Sequence, residues 1–167
     1  MSFSEKKHES ISRHDFIEVV LNKHTNQKSI HALVSFKKEE LICLFAAKET
    51  FETPNYLTLQ IDLNKHISLY PEFLQYTNHG CSPNVFFDTT NMKLVAIKEI
   101  EIGDELLFFY PSTELDMAQS FLCSCENVNC IKNIQGALHL DEEVLKNYRL
   151  NDFIQSQITK IKQSGIS

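Results

Sequence analysis

Asn78-His79-Gly80-Cys81-Ser82-Pro83-Asn84 gathers a carboxamide, an imidazole and a thiol into one short turn. Asn offers both a donor and an acceptor, and His a ring nitrogen with a fixed direction. Pro83 sets its own φ and restricts Ser82 before it. Such a loop suits recognition of a polar ring system, or it is a polar turn between strands. These seven residues alone leave both readings open.

Downstream, Gly103-Asp104 is a turn signal, and Glu105-Leu106-Leu107-Phe108-Phe109-Tyr110 reads as an apolar strand that ends at Pro111. Alternation puts Phe108 and Tyr110 on one face and Phe109 on the other. Aromatic strands usually serve the core. Two neighbouring rings on one face also suit the wall of a channel for an aliphatic chain, with the Tyr hydroxyl positioned to hold an amine.

The third cluster is Cys123-Ser124-Cys125-Glu126-Asn127-Val128-Asn129-Cys130. In an intracellular chain, clustered cysteines suggest a metal before disulfides. A closed zinc site takes four ligands, so three thiols need a fourth. Cys81 in the Asn78–Asn84 loop is the obvious candidate. The other cysteine, Cys43, stands in the apolar run Leu41–Phe45 and reads as a small buried hydrophobe. With Cys81 as fourth ligand, one ion pins the C-terminal segment onto the loop; without a metal, the thiols are simply unligated.

Around these clusters the chain reads as short strands. They are Phe16–Val20, Ile30–Phe36 after a polar stretch from Asn22 to Ser29, Leu41–Ala46, Leu57–Asp62 with period-two alternation, His66–Leu69, and a hairpin of Val85–Phe87 with Leu94–Ile97. Pro111–Ser120 reads as one or two helical turns. Asp141 suits an N-cap, with Glu142 and Glu143 in the first turn. Leu150, Phe153, Ile154, Ile158 and Ile161 then recur at helical spacing, for a helix packed on the domain or one kept for a partner. Glycine and proline are scarce, at four each, and no linker divides the chain.

With 167 residues, 43% hydrophobic and 23% charged, the chain is expected to form one soluble globular domain able to bury a core. No run approaches the ~18 apolar residues of a membrane span, and Met1–Ser10 lacks the apolar core of a signal peptide. The expected setting is intracellular, taken as cytoplasmic. The net charge of −6 argues against nucleic acid as main partner. It suits a basic partner such as a lysine-rich peptide, or serves only solubility.

Together the three clusters resemble the SET-domain lysine methyltransferases. The family's Asn-His-x-Cys-x-Pro-Asn loop corresponds to residues 78–84, its Gly-(Asp/Glu)-Glu-Leu-x-(Phe/Tyr)-x-Tyr run to 103–110, and its post-SET Cys-x-Cys-x4-Cys to 123–130. The likeness covers about residues 15 to 140. The stretch from Phe109 to Glu114 and Met117-Ala118-Gln119 resembles small stand-alone bacterial members. The resemblance implies a mainly β (α+β) fold, a SET-domain β-clip of small sheets with a pseudoknot. It divides the chain into a SET domain over 15–115, a zinc-bound post-SET segment over 116–140 and a C-terminal helix and tail over 141–167.

It further implies S-adenosyl-L-methionine as cofactor, bound by Asn78 and His79 and by the N-terminal loop at Lys28, Ser29 and Ile30. Tyr110 is then the catalytic tyrosine, and Phe108 the aromatic position linked to how many methyls are added. Phe108 removes a water-holding hydroxyl and favours di- or trimethylation. Cys81, Cys123, Cys125 and Cys130 match the ligands of one structural zinc. The substrate is a lysine-containing protein or peptide; the oligomeric state is open, and the C-terminal stripe also suits a homodimer. Tyr56 and Tyr76 are channel walls or plain packing. The sequence departs from the family at Gln27-Lys28-Ser29, where two loop glycines are expected. That departure keeps a second reading, a SET fold that binds a peptide or partner without turnover.

Overall fold

A computed structural model of the protein describes residues 7–165. Residues 1–6 of the N-terminus read above as no signal peptide, and residues 166 and 167 of the tail, lie outside the described residues.

The chain opens with β1 (His8–Arg13), β2 (Ile17–Asn22) and β3 (Gln27–Ala32), an antiparallel meander. Strand β1 had no sequence signature, and it is exposed along most of its length. The polar stretch before Ile30 is shorter than its composition suggests, because Gln27–Ser29 already pair with β2 in register Asn22↔Gln27, Leu21↔Lys28 and Val20↔Ser29. The tight turn before them is made by Asn26 at φ 57°, a residue type that tolerates the left-handed region. Strand β3 ends at Ala32 rather than running to Phe36. The chain turns there, and Phe36 makes only an isolated bridge to Ile100.

The expected strand over Leu41–Ala46 is two strands. β4 (Leu41–Leu44) breaks at Phe45, which dives into the core, and β5 (Ala46–Phe51) joins a different sheet. β6 (Leu59–Asp62) and β7 (Lys65–Tyr70) complete that sheet in the order β5-β7-β6. A 3-10 turn over Glu72–Tyr76 leads into β8 (Asn78–His79). The expected hairpin forms as β9 (Val85–Asp88) and β10 (Lys93–Ala96), with β4 on its outer side.

Of the apolar run Glu105–Tyr110, only β11 (Leu107–Phe108) is strand. It pairs in parallel with β8, Leu107 opposite Asn78 and Phe108 opposite His79. A 3-10 turn at Tyr110–Ser112 replaces the helix expected over Pro111–Ser120. β12 (Phe121–Leu122) and β13 (Asn133–Ile134) then clasp the cysteine-rich loop. Asp141 stands at the N-cap position of α1 (Glu142–Leu145), but its side chain makes no cap bond. α2 (Asp152–Gln163) follows, starting after Leu150. The fold is therefore mainly β, with five small sheets and few helices among the described residues.

The main core joins Ile17, Ile30, Ile67, Leu69, Phe87, Leu94 and Phe108. Cys43 packs against it as a half-buried hydrophobe, and burial pushes its thiol up to about 11. Leu115, Ala137, Leu145 and Ile154 form a second, smaller core, with Leu150, Phe153 and Ile158 against it. Four of the five residues of the helical stripe, all but Ile161, thus pack within the chain. Asn151 ties this unit to the rest. Its amide donates to the carbonyls of Phe87 (2.8 Å) and Ser112 (3.0 Å), and its oxygen accepts from Thr89 N (2.8 Å).

Candidate active site and cysteine centre

The loop Asn78–Asn84 is held by the backbone of the aromatic strand. Gly80 N donates to Phe108 O and Asn84 N to Leu107 O, both at 3.0 Å. Asn84 answers with its side chain: Oδ1 accepts from Leu107 N and Nδ2 donates to Glu105 O, each at 2.8 Å. Gly80 is required by this close approach, since a Cβ there would lie 2.9 Å from Leu107 Cβ. Loop and strand therefore behave as one rigid piece.

On that piece, His79 Nδ1 accepts from Tyr110 N at 3.1 Å, which leaves the ring proton on Nε2, 3.3 Å from Cys81 Sγ. Burial pushes the imidazole down to about 4, so it stays neutral near pH 7. The Tyr110 hydroxyl donates to Thr77 O at 3.3 Å. Burial, with the Glu114 carboxylate next, pushes Tyr110 up to about 12. It is a phenol at working pH and no proton sink.

Phe108 lies 4.6 Å from Tyr110 and, edge-on, 4.8 Å from Phe87, so the alternation read from sequence holds. Phe109 faces away and stacks on Tyr148, centroids 3.5 Å apart and planes within 2°. Phe121 stands edge-on to both His79 and Tyr110 at 5.9 Å.

Asn78 reaches back to the first sheet. Its Nδ2 donates to Lys28 O at 2.9 Å and lies 3.3 Å from Glu105 Oε1. Lys28 Nζ sits over the Tyr76 ring, 4.8 Å from its centroid, and donates to its hydroxyl at 3.4 Å. The three N-terminal positions thus differ. Lys28 adjoins Asn78; Ser29 turns its hydroxyl to His31, 2.9 Å away; Ile30 is wholly buried in the core. Tyr76 packs on the core, whereas Tyr56 is 82% exposed.

The Sγ atoms of Cys81, Cys123, Cys125 and Cys130 lie within 4.8 Å of one another. Cys81 Sγ is 3.9 Å from Cys123 Sγ and 3.8 Å from Cys130 Sγ. Four sulfurs each ~2.3 Å from a tetrahedral ion stand about 3.8 Å apart, so the cluster fits such a metal. It sits directly behind His79.

Three residues of this neighbourhood were given no role by the sequence. Phe121 and Tyr148 lie in stretches with no motif, and only the tertiary fold brings them in. Glu114, only 7% exposed, accepts from Gln60 N at 2.9 Å and from Thr113 Oγ1 at 3.2 Å. Burial still pushes its carboxyl up to about 7.

The SET domain family model matches residues 7–111. "Methyltransferase flvH" of Aspergillus flavus is 39% identical over 102 residues, 60% of this chain and 57% of that protein. "Histone-lysine N-methyltransferase, H3 lysine-36 specific" of Candida albicans is 34% identical over 77 residues, 42% of this chain and 9% of that protein. The Debaryomyces hansenii protein of the same name is 23% identical over 147 residues, 84% of this chain and 19% of its own length. Each match covers less than two thirds of the relative. These relatives are fungal and give no support to the bacterial likeness. With the Asn78–Asn84 loop and the Gly103–Tyr110 strand both inside the matched residues, the chain belongs to the SET-domain family.

Proposed function

We propose that the chain is an S-adenosyl-L-methionine-dependent protein-lysine N-methyltransferase with one structural zinc. One observation carries the reading: Asn78, His79, Phe108 and Tyr110 converge where β8 pairs with β11. The names of the fungal relatives agree with methyl transfer, and two of them with lysine as acceptor. In this reading residues 15–115 form the SET domain, 116–140 the post-SET segment and 141–167 the C-terminal helix and tail. The setting is intracellular.

The chemistry of the side chains fits the cofactor. The Asn78 carboxamide lies between the Lys28 carbonyl and the Glu105 carboxylate, the Lys28 ammonium stands over the Tyr76 ring, and Phe121 offers an aromatic face, a mixed polar and aromatic set that suits a zwitterionic amino acid joined to a nucleoside. When bound, S-adenosyl-L-methionine supplies an electrophilic methyl. Where two glycines are expected, Gln27–Ser29 pair with β2 as part of β3, and the positive φ of the preceding turn falls at Asn26. Cys81, Cys123, Cys125 and Cys130 would hold zinc, which cross-links the tail to the loop and takes no part in the chemistry.

The chain's own residues do three things. Phe108, packed on Phe87, makes an apolar wall, where desolvation disfavours a lysine ammonium whose ordinary pKa is near ~10.4 and so raises the share of neutral amine. Tyr110 orients the amine through its hydroxyl, fixed on Thr77 O, and does not take its proton. The rigid loop–strand piece holds both partners aligned, and alignment alone can lower a barrier by several kcal/mol. Phe108, without a hydroxyl to hold water, leaves room for a second and third methyl.

Calorimetric titration of zinc-loaded protein with S-adenosyl-L-methionine and S-adenosylhomocysteine tests the reading. Binding that Asn78→Ala abolishes supports it. Absence of binding in folded protein turns the reading toward a module that grips a peptide without turnover.

A further inference from the structure

The Cys81 carbonyl lies in a turn that offers little help from its own neighbours. Two residues on, Pro83 has no N–H to donate back, and a buried carbonyl needs a partner. The partner comes from 67 residues away: the Tyr148 hydroxyl donates to Cys81 O at 2.8 Å. The ring of the same residue lies flat on Phe109, 3.5 Å between centroids. Phe109 is buried, sits 5.6 Å from the His79 ring and is bonded directly to Tyr110. His79 closes the circuit, with one ring nitrogen on Tyr110 N and the other beside Cys81 Sγ. Tyr148 therefore grips both halves of the site from the C-terminal segment, the loop by its hydroxyl and the aromatic strand by its face.

We propose that Tyr148 is a positioning residue for the cofactor loop, holding the His79–Cys81 turn against Phe109–Tyr110. The proposal rests on the function proposed above. Removing the hydroxyl leaves the stack and frees the turn, so His79 keeps its identity and loses its register with Tyr110. The effect belongs to cofactor binding, with the chemical step spared once cofactor is saturating.

The test compares Tyr148→Phe with Ile154→Val, a packing change in the wholly buried centre of the second core. Amide exchange is followed at Gly80 and Tyr110, whose N–H groups donate to Phe108 O and His79 Nδ1. Affinity for S-adenosyl-L-methionine is measured on the same samples, with KM and kcat.

One neutral hydrogen bond corresponds to about five-fold. In Tyr148→Phe, exchange at both amides should rise about five-fold. Cofactor Kd and KM should rise likewise, and kcat should stay within about two-fold. Ile154→Val should lower the melting temperature and move none of these. Wild-type exchange and Kd in Tyr148→Phe overturn the proposal, as does the same loss in Ile154→Val, which would assign the effect to global stability. Wild-type protein that binds no cofactor overturns the proposed function, and the proposal with it.

Discussion

Gly80→Ala isolates the contact on which the site is built. The new Cβ would lie 2.9 Å from Leu107 Cβ, 3.1 Å from its Cδ1 and 3.4 Å from its Cγ. The far end of Leu107 can swing away, but its Cβ is fixed to the backbone of β11. Relief must therefore come from separating β8 and β11, a pair only two residues long. Overpacking of this kind costs about 1–3 kcal/mol. The Gly80 N to Phe108 O bond stretches with the strands, and His79 moves off Tyr110 N. The melting temperature should fall by several degrees, since ~1 kcal/mol shifts a domain of this size by a few degrees. Cofactor affinity should fall further, by about ten-fold or more, because the displaced atoms are those of the site. Adding Leu107→Ala should recover little, for it removes the 3.1 and 3.4 Å contacts and leaves the 2.9 Å one. Differential scanning calorimetry and cofactor titration read both effects. Wild-type affinity in Gly80→Ala would refute the claim that loop and strand act as one rigid piece.

Tyr110→Phe should lose at least ten-fold in methyl transfer while melting temperature and cofactor affinity stay near wild type, because the hydroxyl makes one bond, to Thr77 O; a fully active variant would remove Tyr110 from catalysis. Purified protein should contain one zinc per chain by elemental analysis. Chelation should release it and abolish amide protection across 121–134, and an ordered, functional metal-free tail would refute a structural zinc. Glu114 is protonated more readily folded than unfolded, with a folded value of about 7. The stability it contributes is complete below its ordinary carboxylate range and is lost as pH rises through about 7. Glu114→Gln, whose Oε1 still accepts from Gln60 N, should flatten that decline, and by pH 8 its advantage should be on the order of 3 kcal/mol; parallel pH profiles of denaturant unfolding for the two proteins would refute it.

The hairpin β9–β10 and the strand β6 were legible because short apolar or alternating runs are bounded by turn residues, although β9 is buried on both faces and β6 buries Leu59 and Gln60 in succession. Cys81, Cys123, Cys125 and Cys130 were legible because a tetrahedral site needs four ligands. Local pattern failed where tertiary contacts decide. Glu105–Tyr110 has the composition of a six-residue strand, yet its partners are split: Glu105 and Leu106 bridge to His31 and Ile30 of β3, and Leu107 and Phe108 pair with the two residues of β8. Leu41–Ala46 looks continuous, but Phe45 turns inward and sends the two halves to different sheets. The loop at Gln27–Ser29 was read from its polarity, while its pairing with β2 follows from the turn at Asn26. Phe121 and Tyr148 carry no spacing signal at all, because each meets the site only after the chain has doubled back on itself; Glu114 stands four residues from Tyr110, and only burial marks it out.

Asn151 has a consequence for the order of events during synthesis. Its side chain is turned away from the first turn of α2 and binds Phe87 O, Ser112 O and Thr89 N, so α2 gains no cap from it. A helix of twelve residues without that help is marginal alone in water. It should form as it docks on the second core. Chains emerge N-terminal end first, and contacts between distant residues form slowly. The β-sheets can assemble while the aromatic strand still lacks its brace behind Ser112. The reaction centre should therefore become competent late, after residue 151 has appeared, and a nascent chain stopped short of it would carry the Asn-His loop without the means to use it.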